Sequence, residues 1–542
     1  MGSSRSPTPI PMPLASVIPP AGRVPRPSLM LAVASLLVAH PGAGQARPPK
    51  HFDAEVTRAL GLFQVPGAAV AVVQGGRVLL LKGYGVRTLG AQAPVTPHTL
   101  FQIASNTKAF TAACLAILVD SGVMSWDDRA TRWLPDFELA DPWVTRELTV
   151  RDLLTHRSGL GIGAGDLLWL HSTFSRREIL HRLRAAKPAS SFRSQYAYDN
   201  VLYAAAGEII PAITGETWEQ FVRARVLEPL GMTDTRTGIA DLRAGDTLAT
   251  SYALADTTLI QVPLDTVDNI GPAGALISSV ADLVKWVQVQ LDSGRAGTSV
   301  LWSPRATREM WSPQTIMPID DPEPPLLGLR PNFQAYGLGW RLRDYQGRKV
   351  IWHTGGLAGM TSRITLVPAD SLAVIVLTNG ESDLPDALTF ELLDHFFKVP
   401  STDWVGAFHD VAVHDRAVAE SIRTEGAGAR DSLSRPSLPL GRYAGVYRDS
   451  LYGGATLTLE NGGLVLRFDH SPAFVGDLVH WQYDTFVVHW RAPNLADAFV
   501  TFELAPDGAI AGVRLAPVST LADFSFDYQD LHFLPVAGAQ AP

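Results

Sequence analysis

The chain has 542 residues, 46% hydrophobic and 18% charged, with a formal net charge of −8. This length predicts two or three domains with a large apolar core, and it excludes a disordered chain. The acidic balance and the lack of a Lys/Arg run exclude a nucleic-acid binder built on a basic stripe. The single cysteine, Cys114, excludes an internal disulfide and any cysteine cluster for zinc or iron–sulfur.

Residues 1–28 are Pro/Ser-rich and contain Arg5, Arg23 and Arg26 but no acid. The apolar run Leu29–Ala39 follows, then HPGAGQA, ending at Ala46. This order predicts a signal peptide over 1–46, with Met12 a candidate start, and an apolar run too short for a settled membrane span. The expected mature protein is periplasmic or secreted, with no membrane span after signal removal.

From Gly67, two β-rich runs flank Gln74-Gly75-Gly76 and predict a hairpin. Ser105 opens an apolar helical stretch that closes at Gly122 and carries Cys114, which reads as core. Helices are expected at Leu148–Leu154 with Thr149 as cap, Gly207–Ile213, Thr217–Leu227, and from Ser279 to Leu291 with Asp282 completing a capping pattern. The Pro-rich segment 311–335 reads as a surface loop. Strand signals return at Lys349–Trp352, Ser362–Leu366 and Leu372–Leu377. One hairpin early and several strands late predict an antiparallel sheet closed by both ends of a domain spanning 50–400.

Residues 401–437 have few large apolar side chains and read as a short helix and a linker. Beyond them, Ala455–Glu460, Leu464–Phe468, Thr485–Trp490 and Phe499–Leu504 alternate apolar and polar residues. Turns at Asn461-Gly462-Gly463 and Pro506-Asp507-Gly508 separate some of these runs. An all-β domain over 438–536, a small barrel, is expected, with Trp481, Phe486 and Trp490 filling it.

The strongest local chemical signal is Ser105-Asn106-Thr107-Lys108. Residues three apart share a helix face, so the amine can approach the hydroxyl. A desolvated lysine with a lowered pKa can take a serine proton at neutral pH. The tetrad alone is common by chance, and a capping Ser beside a solvated Lys is its bland alternative. It is joined downstream by Tyr198-Asp199-Asn200 and by Trp352-His353-Thr354-Gly355-Gly356.

In this order the three elements resemble the serine β-lactamase and penicillin-binding protein superfamily, in its class C β-lactamase-related branch. The segments LTVRDLLTHRSGL, LEPLGMTDT, PAGALISSVADLVKW, YGLGW and HTGGLAGMTSRITLVP are also similar to that family. The C-terminal part resembles the lipocalin-like domain of some D-amino-acid-type serine peptidases. The resemblance implies an α/β (α+β) domain, an antiparallel sheet flanked by helices, plus the C-terminal barrel. It implies Ser105 as nucleophile, Lys108 as proton acceptor or relay, and Tyr198 as the phenol or phenolate that shuttles the proton to the leaving group. Asn200 would hold the substrate amide and orient Lys108. His353, Thr354 and Gly355 would line the substrate site, and the backbone N–H groups of Ser105 and Gly356 would form the oxyanion hole. A residue without a side chain at 356 suits close approach there.

His353 departs from the lysine usual in penicillin-processing members. Histidine is largely neutral at pH 7, which weakens the case for β-lactam or D-Ala-D-Ala processing and favours an esterase or aminopeptidase-like member. His156 reads as a hydrogen-bonding residue of a loop or helix end, and Asp127-Asp128 as a solvated pair at a helix start. His470, His480 and His489 lack ligand spacing, so no metal is assigned, and no cofactor is implied. The expected partner is a small ester, amide or peptide substrate, with no nucleic acid. A β-lactamase, a penicillin-binding sensor acylated without turnover, and a carrier using the barrel remain compatible alternatives.

Overall fold

The computed structural model describes residues 47–255 and 258–538, so the expected leader lies outside the described residues. Among the described residues, no helix is long and apolar enough to cross a membrane. Helix α1 (Phe52–Leu62) leads into the predicted hairpin, β1 (Gly67–Gln74) and β2 (Arg77–Gly85). Gly75 and Gly76 both have positive φ, +56° and +75°, which a two-residue hairpin turn of the primed kind requires.

Six more strands complete the sheet: β3 (Thr315–Ile316), β4 (Gln334–Tyr336), β5 (Arg341–Tyr345), β6 (Arg348–Leu357), β7 (Met360–Val367) and β8 (Leu372–Thr378). The order is β2-β1-β8-β7-β6-β5-β4-β3, antiparallel throughout. The early hairpin therefore closes against the last strand, as the sequence predicts. The segment 311–335 is not only a surface loop: it supplies edge strand β3 and buries Met317, Leu326 and Leu329. Its prolines conceal this, because a short edge strand tolerates nearby Pro.

The helices of the middle region follow from their caps. Thr149 makes a reciprocal capping box with Asp152, a device worth about 1 kcal/mol. Four longer helices matter here: α2 (Thr107–Asp120), α3 (Val201–Thr214), α4 (Val280–Leu291) and α5 (Leu384–Phe397). Ser279 caps α4 by accepting from the Asp282 N–H, but the expected box stays open: the Asp282 carboxylate accepts the Asp234 and Thr235 N–H groups instead. Every residue of β8 is buried; Ala373, Ile375 and Leu377 share a core with Val280 and Leu283 of α4. Side chains alternate along a strand, so the intervening residues turn toward the layer of α5.

Residues 401–437 form more helix than expected. Helix α6 (Trp404–Ala429) has 26 residues, but only Trp404, Val405 and Phe408 are buried. Its outer turns hold few large apolar side chains, and Val413, Val418 and Ile422 among them are exposed, so they leave only a weak periodic signal. After it comes a closed barrel of eight strands: β9 (Gly445–Asp449), β10 (Gly453–Glu460), β11 (Gly463–Phe468), β12 (Ser471–Gln482), β13 (Thr485–Trp490), β14 (Ala498–Leu504), β15 (Ile510–Pro517) and β16 (His532–Pro535). Phe486 and Trp490 are buried in it. Trp481 instead meets Phe499 edge-on and the Arg430 guanidinium, away from the barrel core. The barrel and the sheet domain belong to one compact unit that begins at Arg47.

Candidate active site

Ser105 sits in a short 3-10 turn, Ala104–Asn106, immediately before α2, and Lys108 falls in the first turn of that helix. Ala104 adopts a left-handed φ of +46°, which costs a residue with a Cβ about 1 kcal/mol and offsets the serine from the helix axis. The turn is tied down on the sheet side. Asn106 Nδ2 donates to Ser362 Oγ at 2.8 Å, and Ser362 donates to Ile103 O at 3.0 Å. Strand β6 also presses against it: a Cβ at Gly355 would lie 2.1 Å from Ile103 O, so only glycine fits. A Cβ at Gly356 would meet nothing within 4 Å. Gly355 is thus the residue packed against the turn, while Gly356 lines the cavity.

Lys108 is fully buried. Its Nζ lies 2.9 Å from Ser105 Oγ, 2.7 Å from Asn200 Oδ1 and 3.0 Å from Ala273 O. Burial brings its pKa down from 10.5 to about 7, against the pull of the Asp166 and Asp199 carboxylates. Asn200 and Ala273 present carbonyl oxygens, which only accept. In the neutral amine they take both hydrogens, which leaves the lone pair for the Ser105 hydroxyl.

Asn200 stands at the N-cap of α3, yet its side chain does not cap. Asp199 does so instead, accepting the Leu202 N–H at 3.3 Å, which frees the Asn200 amide for Lys108. Tyr198 is buried, with the Lys108 ammonium 4.8 Å from its ring centroid. Burial pushes its pKa well above 10, while the neighbouring Ser105 hydroxyl and Arg341 pull the other way. The residue is a neutral phenol at physiological pH.

His353 lies on β6 with Nδ1 2.6 Å from Thr354 O and Nε2 2.9 Å from the Tyr336 hydroxyl. A carbonyl accepts only, so Nδ1 carries the proton and Nε2 accepts from Tyr336. Burial and then Arg341 hold its pKa well below 6.5, so it is neutral, as expected. His156 packs against Tyr198 with the rings tilted by 34° and their centroids 4.3 Å apart, and it accepts the Asp199 N–H at Nδ1. Ser105, Tyr198, Asn200, His353, Thr354 and Gly356 line one cavity of about 230 Å³.

The other candidate residues lie elsewhere. Asp127 and Asp128 pair with Arg151 and Arg132. His470 stacks on Phe174, His480 bonds Tyr483 O, and His489 pairs with Asp497. Cys114 is buried in the core.

Comparison with known proteins matches the Beta-lactamase family model to residues 52–394. The chain belongs to the Beta-lactamase family. A second model, a domain of unknown function (DUF3471), matches 429–535. An unguisins hydrolase of Aspergillus campestris is 32% identical over 497 residues, covering 87% of this chain and 90% of that protein. The octameric penicillin-binding protein homologue from Pyrococcus abyssi shares the fold, with a TM-score of 0.59 at 21% identity over 86% of this chain and 97% of its own. The D-amino acid amidase from Ochrobactrum anthropi SV3, solved with L-phenylalanine amide, aligns with a TM-score of 0.51 at 26% identity over 64% of this chain and 98% of its own.

Within this Beta-lactamase-family site, sequence reasoning missed three contributors. Arg341, opposite Trp352 in the β5–β6 register, lines the cavity with its guanidinium 5.6 Å from the Tyr198 ring and 5.2 Å from Trp352. Its Nε has no hydrogen-bond partner, and no carboxylate pairs with it among the described residues. A fixed positive charge is therefore present even though His353 is neutral. Phe524, from the barrel, meets Tyr198 edge-on at 5.6 Å and walls the cavity. Asp166 is fully buried and accepts from Asn200 Nδ2 at 2.8 Å; burial raises its pKa to about 7. Arg341 adjoins the YGLGW segment, a signal that could have found it; nothing local marks the other two.

Proposed function

We propose that the protein is an exported serine hydrolase that cleaves ester or amide bonds through an acyl-enzyme on Ser105, acting as an esterase or a D-amino-acid-type peptidase. The observation that carries this reading is the buried amine of Lys108, near neutral in pKa and 2.9 Å from Ser105 Oγ. Ser105 Oγ attacks the carbonyl carbon while its proton passes to Lys108 Nζ. The carbonyl oxygen becomes an oxyanion, held by the backbone N–H groups of Ser105 and Gly356. As the C–O or C–N bond breaks, the proton reaches the leaving group through the Tyr198 phenol. Water then attacks the acyl ester, returns a proton by the same route, and frees Ser105 with a carboxylic acid product. Tyr198→Phe is expected to lower kcat by about 10²-fold, the scale of a general acid/base group, in a steady-state assay. The names of the fungal hydrolase and the D-amino acid amidase support hydrolysis as the reaction and an amide as one substrate bond. The cavity of about 230 Å³ adjoins a second of about 700 Å³ that shares Trp169, Gly356, Leu357, Asp523 and Ser525 with it, which leaves room for a substrate larger than the first cavity alone. The leader ending at Ala46 supports export, and an N-terminus after Ala46 on protein recovered outside the cytoplasm is the expected check.

Arg341 favours a second reading, a β-lactamase or a penicillin-binding protein acylated without turnover, because its unpaired guanidinium suits a substrate carboxylate. A panel of p-nitrophenyl acyl esters, D-aminoacyl p-nitroanilides and nitrocefin separates the readings. Turnover of the first two is expected. Cephalosporin turnover near ~10⁶ M⁻¹s⁻¹ reverses the assignment, and a stoichiometric burst without release marks a sensor. Arg341→Ala is expected to raise KM about 10- to 100-fold for substrates carrying a carboxylate on the leaving group, leaving neutral esters little changed.

A further inference from the structure

The catalytic lysine is oriented by a chain of contacts that ends in the other domain. Asn200 can face Lys108 with either end of its amide. Asp166 decides which: its Oδ2 accepts from Asn200 Nδ2 at 2.8 Å, so the carbonyl end must turn to Lys108. The second oxygen of Asp166 accepts the Trp169 indole N–H at 2.7 Å. Both oxygens are thus committed, and the residue is sealed from solvent.

Asp166 lies in a 3-10 turn, Asp166–Leu168, entered from Gly165 at a φ of +85°. That turn has an external support. In the connection between β15 and β16 of the barrel, the buried Asp527 accepts the Gly165 N–H at 2.8 Å and the Leu167 N–H at 3.1 Å, gripping the residues on either side of Asp166. The Tyr452 hydroxyl, also from the barrel, donates to Asp527. Ser525, from the same connection, stands beside the Asp166 carboxylate and favours its ionised form. The same connection sits so close that a Cβ at Gly163 would lie 2.5 Å from Phe524 O. Gly163 in turn donates its N–H to Tyr198 O at 2.8 Å.

We infer that Asp166 is a positioning residue that aims the Lys108 lone pair at Ser105 through Asn200, and that the C-terminal barrel holds it in place through Ser525 and Asp527. The inference rests on the Ser105–Lys108 chemistry proposed above. The barrel is then a structural half of the active site, in addition to walling the cavity with Phe524.

The test is steady-state kinetics of Asp166→Asn and Ser525→Ala in the full chain, with p-nitrophenyl esters across a range of pH. An asparagine at 166 keeps the shape but has one accepting oxygen where Asp166 uses two, one for Asn200 and one for Trp169, so the Asn200 amide loses its fixed orientation. For Asp166→Asn, kcat is expected to fall about 10- to 100-fold, as small misplacements of a reacting group do, with KM within about threefold. The Asp166 charge raises the Lys108 pKa, so its removal is also expected to shift the acid limb of the kcat profile to lower pH. A merely structural role would not move that limb. Ser525→Ala removes a hydroxyl that favours ionised Asp166, and a smaller shift in the same direction is expected. An Asp166→Asn enzyme with wild-type kcat and an unmoved limb overturns the inference. If that variant fails to fold, Ser525→Ala decides: a limb and kcat identical to wild type overturn the role of the barrel. Retained activity in Ser105→Ala would overturn the hydrolase reading instead, so the two failures are distinct.

Discussion

Ser105→Ala is expected to abolish turnover of every substrate the enzyme accepts, with kcat down at least about 10⁴-fold, while thermal unfolding stays close to wild type. The expectation follows from the site's geometry. Ser105 Oγ is the hydroxyl at the Lys108 amine, in a half-buried turn at the floor of the cavity. Removing one oxygen there opens no large void, so folding is spared. Turnover and a melting curve on the same preparation check both halves, and retained activity ends the assignment of Ser105.

Lys108→Arg is the second large effect. A guanidinium keeps the positive charge but does not release its proton in the physiological range, so it cannot take one from Ser105. A loss of about 10²- to 10⁴-fold in kcat is expected. The pH dependence of the wild-type enzyme probes the same group. The folded-state pKa of Lys108 is lowered to about 7, so below that pH the amine is protonated and above it the base is free. The rate should therefore rise with pH through about 7. Asp166, also near 7, and Asp199, near 8, titrate beside it, so the limb belongs to the three groups together. A kcat/KM profile flat from pH 5 to 9 would contradict a lysine base.

The residues proposed to react were legible as a pattern in the sequence, because such chemistry needs particular side chains at fixed spacings: Ser105 three residues before Lys108, Tyr198 two before Asn200, and a Gly pair after His353-Thr354, and the fold brings them together. Strands with full burial, such as Leu372–Thr378, were legible because their apolar runs are uninterrupted. Strand β12 was not, since Pro472, Gly476 and Asp477 break its alternation. The outer turns of α6 were missed for a related reason: their large apolar residues are few and exposed.

The supporting residues of the site are a different case. Asp166 follows a Gly-rich stretch that reads as a loop, and only the fold brings it under Asn200. Arg341 reads as an ordinary strand cation until the register sets it opposite Trp352 beside Tyr198. The barrel residues Phe524, Ser525 and Asp527 carry no motif, and their role exists only through docking on the other domain. Groups that perform chemistry leave a local pattern; groups that orient them need only arrive.

The late position of those barrel residues has a consequence for biosynthesis. A ribosome delivers the chain from its N-terminus, so Ser105, Lys108, Asn200 and Asp166 emerge and can begin to fold well before Ser525 and Asp527 exist. Until the final barrel strands are made, the nucleophile lacks its brace. On the proposed reading, full hydrolytic competence is expected only once the barrel is complete, and a truncated translation product that ends at α6 is expected to turn over substrate more slowly than the full chain.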